Sequence, residues 1–225
     1  MKKYLIILTT ITVLVSCKKD NSVPINMGYQ YFPTDQGHFN VYDVVSIVHD
    51  DAVQVHDTSY FQIKEVIGES FTDEEGETAQ KLYRYFRPND STNWLTKDVW
   101  SIKLTGRTAE VVEENQRFIK MGFAISYDEY WDCNALNNLY KEECYYAKIA
   151  EPFTVDNGTI IDSTAIVEHS NFATYIDYIR EYEVYAANIG KIYSVKKDIK
   201  INNGDTLDID KGTELFYSLI DTGQE

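Results

Sequence analysis

Proline is scarce in this 225-residue chain, four in all, and glycine numbers eleven, which excludes a collagen-like or Pro/Gly low-complexity architecture. Basic residues are few as well: 21 Lys and Arg stand against 36 Asp and Glu, a formal net charge of −15. A surface of that sign repels phosphates, so no nucleic acid partner is expected, and direct adhesion to anionic headgroups is disfavoured. The four histidines, at 38, 49, 56 and 169, are scattered, and no Cys-x-x-Cys or His-x-x-x-His pair accompanies them. Zinc asks for about four close ligands, so no metal is expected. The Gly-x-Ser-x-Gly elbow, the phosphate-cradling glycine loop and the His-Glu-x-x-His helix are missing too. Those absences close the motif routes to hydrolase, NTPase and metalloprotease, and no catalytic residue and no cofactor is assigned.

What is present begins at the amino terminus. Lys2 and Lys3 precede an apolar and hydroxyl run from Tyr4 to Val15, the charged and hydrophobic regions of an export signal. The run is too short to span a bilayer. It ends in Leu14, Val15, Ser16, Cys17, which resembles the lipobox of bacterial lipoproteins. That resemblance implies cleavage before Cys17, acylation of its thiol, and a membrane anchor made of lipid rather than polypeptide. The alternative, a buried thiol closing a core helix, needs an amphipathic period that Leu5 to Val15 lacks.

Residues 1–16 are therefore expected to be a signal peptide, 17–28 a lipid-anchored linker, and 29–225 one β-rich domain. Cleavage would take two lysines from a charge of −15, leaving −17. Along the body the dominant period is two. Trp100, Ile102 and Leu104 alternate with Val99, Ser101 and Lys103, and Arg117 to Ile125 alternates in the same way, as half-buried strands do. Further strands are expected at Phe39 to Val48, Tyr60 to Ile67, Gln80 to Arg87, Thr159 to Val167, Lys191 to Ile201 and Thr213 to Ile220. Thr72 to Thr78, Pro88 to Asn93, Gly106, Asp156 to Gly158 and Asn202 to Asp205 are turn chemistry between them. Phe172 to Val184 fits helix and strand alike, and its aromatics favour strand. The expected fold is mainly β: one antiparallel, strongly curved sheet or half-barrel, with few or no helices.

In an exported chain Cys133 and Cys144 are close enough to form a disulfide. The acidic turn Asp73, Glu74, Glu75, Glu77 lacks the alternating oxygens of a calcium loop and reads as a solvated hairpin tip. Asn203, Asp205, Asp208 and Asp210 read likewise. His49 with Asp50 and Asp51, and His56 with Asp57, could be an acid and base pair, but read first as a polar loop between strands. The triplets beginning at Asp90, Asp162 and Asp205 resemble the loose O-glycosylation pattern of Bacteroidota, which would modify Ser91, Ser163 and Thr206. Eighteen Tyr stand against ten Phe and three Trp. Because a buried tyrosine hydroxyl needs a partner, that excess suits a wet, partner-facing surface.

Tyr31, Phe32, Pro33 with Gly37 and Tyr42, the Asp73 to Gly76 turn before Tyr83, Arg84 and Tyr85, Arg117 to Phe123 leading to Trp131, and Glu183, Val184, Tyr185 with Gly190, Ile192 and Tyr193 together resemble the uncharacterised single-domain lipoproteins common in Bacteroidota. The resemblance implies an antiparallel, curved sheet, broadly like lipoprotein-carrier half-barrels, and carries over no catalytic residue. The expectation is a lipid-anchored outer-membrane protein, the cell surface slightly favoured by Lys19 and Asp20. It would bind a protein partner in that membrane, with carriage of an apolar ligand as the alternative and an enzyme as the weakest reading.

Overall fold

A computed structural model describes residues 26–225. Cys17 and the expected signal peptide lie outside them. Twelve strands follow one another: β1 His38–Asp50, β2 Val55–Thr72, β3 Thr78–Arg87, β4 Leu95–Leu104, β5 Thr108–Glu113, β6 Gln116–Gly122, β7 Tyr130–Asp132, β8 Glu143–Thr154, β9 Ile160–Ala173, β10 Asp177–Ala186, β11 Gly190–Asn202 and β12 Asp205–Gln224. Each pairs antiparallel with its sequence neighbours except across β6 and β7, and β1 also pairs with β12. One sheet thus curls until its two edges meet. There the Ile119 amide donates to the Cys133 carbonyl at 2.9 Å, and the Trp131 indole donates to the Ile119 carbonyl at 3.0 Å. These bonds bring the edges together into a nearly closed barrel, which leaves little edge exposed for pairing with other chains.

The turns read from the sequence fall as expected, and the ambiguous segment Phe172 to Val184 is the end of β9, an unexpected turn at residues 174–176 and most of β10. The strand expected over Arg117 to Ile125 stops at Gly122, and Phe123 instead meets the Tyr29 ring edge-on at 4.8 Å. Strands β5, β7 and β8 have too little alternation to be read from sequence. Gly212 sits inside β12 at φ +129°, where an added Cβ would lie 2.2 Å from the Asp198 carbonyl oxygen. Only glycine lets β11 approach β12 so closely there.

The amino-terminal segment plugs one end of the barrel. Gly28, at φ 88°, leads a single 3-10 turn over Tyr29–Tyr31. Asn188 donates its amide to the Gln30 carbonyl at 2.7 Å, and Ile125 donates to the Met27 carbonyl at 3.2 Å. The packed body therefore reaches back to Met27, slightly earlier than the expected boundary. Tyr31 and Phe32 join Ile67, Leu82, Met121, Tyr146 and Val167 in the main core. A second cluster forms where the tip of the β8–β9 hairpin folds back over the sheet: Val155 and Phe153 pack with Val184 and Tyr193, and the Asp156 amide donates to Ser218 Oγ at 3.2 Å.

On the outer face the exposed pair Lys81–Glu69 links β3 to β2.

Candidate functional site

The inside of the barrel carries charge. Glu65 of β2 faces Arg84 of β3, and Arg84 faces Asp98 of β4, so register alone lines up acid, base and acid. Arg84 is 3 % exposed. Its Nε donates to Glu65 Oε1 at 3.0 Å and its Nη1 to both Asp98 oxygens at 3.1 Å, while the guanidinium lies 3.5 Å from the Trp100 ring centre. A planar fork with several donors suits this site better than a lysine would.

A second network crosses the barrel. Lys120 Nζ lies 2.8 Å from Glu113 Oε1 and 3.4 Å from Glu183 Oε1. Glu183 Oε2 accepts from the Tyr185 hydroxyl at 2.8 Å and meets His169 Nε2 at 3.2 Å. The other ring nitrogen of His169 lies 3.5 Å from Cys144 Sγ. Burial pushes the Glu183 carboxyl up, but Lys120 and His169 outweigh it and hold the group well below the usual carboxylate range. Burial likewise opposes the charge on Lys120, and Glu113 with Glu183 reverse that effect and raise it. Tyr185 is pushed well up by burial and by the neighbouring Glu183 charge.

Between the two networks lies a cavity of about 80 Å³. Phe32, Ile67, Leu82 and Ile102 form its apolar side, and Asn40, Glu65, Lys120, Glu183 and Lys191 its polar side. The plug closes part of it through Phe32 and Pro33. An apolar lining with a few polar groups is usual for ligand pockets, and the small volume limits what this one holds.

Six tyrosines, Tyr29, Tyr60, Tyr127, Tyr130, Tyr140 and Tyr175, are exposed as the composition suggests, and four depart from that expectation. Tyr31, Tyr42, Tyr146 and Tyr185 are fully or almost fully buried. Their hydroxyls are satisfied internally, by Ser163 Oγ at 3.0 Å, the Lys191 carbonyl at 2.9 Å, the Gly122 carbonyl at 2.6 Å and Glu183. The polar interior supplies the partners that the composition argument sought at the surface.

The residues singled out from sequence fall apart in space. Cys133 and Cys144 form a disulfide with Cα atoms 6.0 Å apart, at the barrel seam. Ser91 and Thr206 are exposed, Ser91 in the β3–β4 turn and Thr206 at the start of β12, whereas Ser163 sits within β9 bonded to Tyr31. His49 and His56 flank the β1–β2 loop, with facing Nδ1 atoms at 3.0 Å, and His49 pairs with Glu214 at 2.9 Å rather than with the neighbouring aspartates. The acidic turn is a solvated hairpin tip that is also tied to β4: Lys103 Nζ reaches Asp73 at 2.8 Å, Glu75 at 2.7 Å and Glu77 at 3.0 Å. Partial burial pulls Lys103 down, yet these three carboxylates hold it above its ordinary range. The ammonium occupies the middle of the carboxylate cluster, where a bound cation would have to sit.

Sequence reasoning missed the interior charges, although a signal was there. Leu82, Arg84 and Phe86, and Ile63, Glu65 and Ile67, each place a charge on the apolar parity of a strand. Such a residue must be buried, and a buried charge needs a partner.

At the far end of the barrel from the plug, the β9–β10 and β11–β12 hairpins lie side by side. Gly204 donates its amide to the Tyr175 carbonyl at 2.8 Å, and Tyr175 OH donates to Asn203 Oδ1 at 2.9 Å. This tip presents Phe172, Tyr175, Ile176 and Leu207 to solvent, 52 %, 66 %, 61 % and 89 % exposed. No protein family, curated protein or solved structure matches the chain.

Proposed function

We propose that this is a lipid-anchored outer-membrane protein that binds rather than converts, docking a protein partner in the same membrane through the paired hairpin tip. The observation that carries the reading is the exposed apolar quartet Phe172, Tyr175, Ile176 and Leu207. Large apolar side chains gathered on a rigid pair of hairpins, rimmed by polar residues, mark protein-interaction sites. The tip and the plug are separated by β10, ten residues long, or about 30 Å of strand. A tether entering at the plug would leave the tip free to reach a partner. Asp205 and Asp208 flank Leu207 in the chain, while Asp177 is paired with Lys200, so the partner presents a basic group toward the β12 side of the patch, and association weakens as salt rises.

Carriage of an apolar ligand ranks second. A cavity of about 80 Å³ is roughly half the volume of one that admits a single benzene ring, and an acyl chain is larger still.

The test joins anchor and tip. In carbonate-washed membranes the Cys17→Ala variant is expected in the supernatant. A photo-crosslinking side chain at Leu207 is expected to trap one membrane protein that the same probe at exposed Asn89, on another turn, does not. Retention of Cys17→Ala in the membrane, or identical crosslinks from both positions, would overturn the reading.

A further inference from the structure

We infer that the interior cavity is a binding site for a small neutral molecule whose head group carries two hydrogen-bond donors and one acceptor, as a vicinal diol or a primary amide does.

The inference starts from Asn40, 7 % exposed on β1. Its Nδ2 donates to the Ile189 carbonyl at 2.9 Å and reaches the Lys191 carbonyl at 3.4 Å. Both partners are backbone acceptors, so the amide orientation is fixed: nitrogen toward the β10–β11 turn, oxygen away from it. Asn40 Oδ1 is then a buried acceptor without a partner, on a side chain that lines the cavity. Buried acceptors are normally satisfied, and an exception points to a bound group.

Glu65 is the cross-strand partner of Asn40. Its Oε1 is taken by Arg84 at 3.0 Å, and its Oε2 stands 4.0 Å from Lys191 Nζ. That separation is too long for a hydrogen bond and suits a bridging group. The Lys191 ammonium is held near the Tyr42 and Tyr217 rings, 5.6 and 5.3 Å from their centres. Lys120, Glu113, Glu183 and Tyr185 also line the cavity but are paired with one another, which leaves two acceptors, Asn40 Oδ1 and Glu65 Oε2, and the ammonium of Lys191 as donor.

Donor and acceptor counts select the ligand. A carboxylate brings no donor for either acceptor. An ammonium ion brings no acceptor and faces the like charge of Lys191. A lone hydroxyl has one donor for two acceptors. A vicinal diol or a primary amide matches the set, and its carbon body meets Phe32, Ile67, Leu82 and Ile102. A volume of about 80 Å³, against the roughly 150 Å³ that holds the six carbons of benzene, limits the fully buried part to about three non-hydrogen atoms.

The test uses four probes of one carbon length: propane-1,2-diol, propionamide, propionate and propylammonium. Each is titrated into the purified ¹⁵N-labelled protein while the backbone amide resonances of Gly190 and Lys191, which line the cavity, are followed. The two neutral probes are expected to give saturable shifts, and the two charged ones to bind at least about tenfold more weakly. Asn40→Leu is expected to weaken the neutral probes by about tenfold, the equivalent of one buried hydrogen bond, with Leu207→Ala at the distant tip leaving them unchanged. Should Asn40→Leu fail to fold, Lys191→Met takes its place. No saturable binding of either neutral probe, meaning that water alone fills the cavity, would overturn the inference. So would equal binding of the charged probes, or binding indifferent to both cavity variants. None of these outcomes bears on the docking tip.

Discussion

The Tyr31 hydroxyl meets Ser163 Oγ at 3.0 Å across 132 residues of chain, joining the plug to the barrel wall it closes. One neutral hydrogen bond contributes about 1 kcal/mol, and the loss leaves Ser163 half-buried beside an apolar ring. Tyr31→Phe is therefore expected to lower the thermal midpoint by about 2 to 4 °C, the shift that about 1 kcal/mol gives a domain of this size. Phe32→Ala removes a whole ring from the main core and is expected to cost about 3 to 5 kcal/mol. Urea midpoints for both variants check the ranking, and equal effects would contradict the assigned roles.

Glu183 ties the interior network to pH. Its folded-state pKa lies well below the ordinary value of 4.5, so its ion pairs contribute stability that is complete above the unfolded-state pKa. That stability fades as pH falls below about 4.5 toward the folded-state value. Glu183→Gln is expected to be less stable at pH 7 by roughly 3 to 5 kcal/mol, because Lys120 and His169 lose a buried partner. It is also expected to lose less stability than the wild type between pH 5 and pH 3. Parallel stability curves for the two proteins across that range would show that Glu183 is not the group responsible.

The disulfide closes a short loop, Cys133 to Cys144 being 11 residues apart, and it closes the loop at the seam. The Cys133 carbonyl is the acceptor that holds Ile119 of β6. Reduction is expected to cost about 2 to 3 kcal/mol and to speed hydrogen exchange at the Ile119 amide more than at amides of β1 and β12. Thiol labelling of the unfolded, non-reduced protein should find neither cysteine reactive. Two labelled thiols would remove the disulfide from the account.

Alternation of two determined by itself that β1, β2, β3, β4, β6, β9, β11 and β12 are strands, because a half-buried strand needs one apolar face. Glycine, asparagine and aspartate marked the turns through their tolerance of tight backbone geometry. The Cys133–Cys144 pairing was legible from spacing. Strands β7 and β8 were not: β7 is three residues long, and β8 mixes Lys148 and Glu151 among its apolar residues. The structure alone decided that β1 meets β12 and that β6 nears β7, since closure depends on accumulated twist and register across the whole sheet. The β2–β3 register had already set Glu65 opposite Arg84; with closure came an interior, and only then did Lys120 and Glu183, far apart in the chain, become neighbours. Their partners lie on other strands, so no local pattern could name them; the sequence carried only the oddity of a charge on an apolar parity, and the barrel turned that oddity into a network around a cavity.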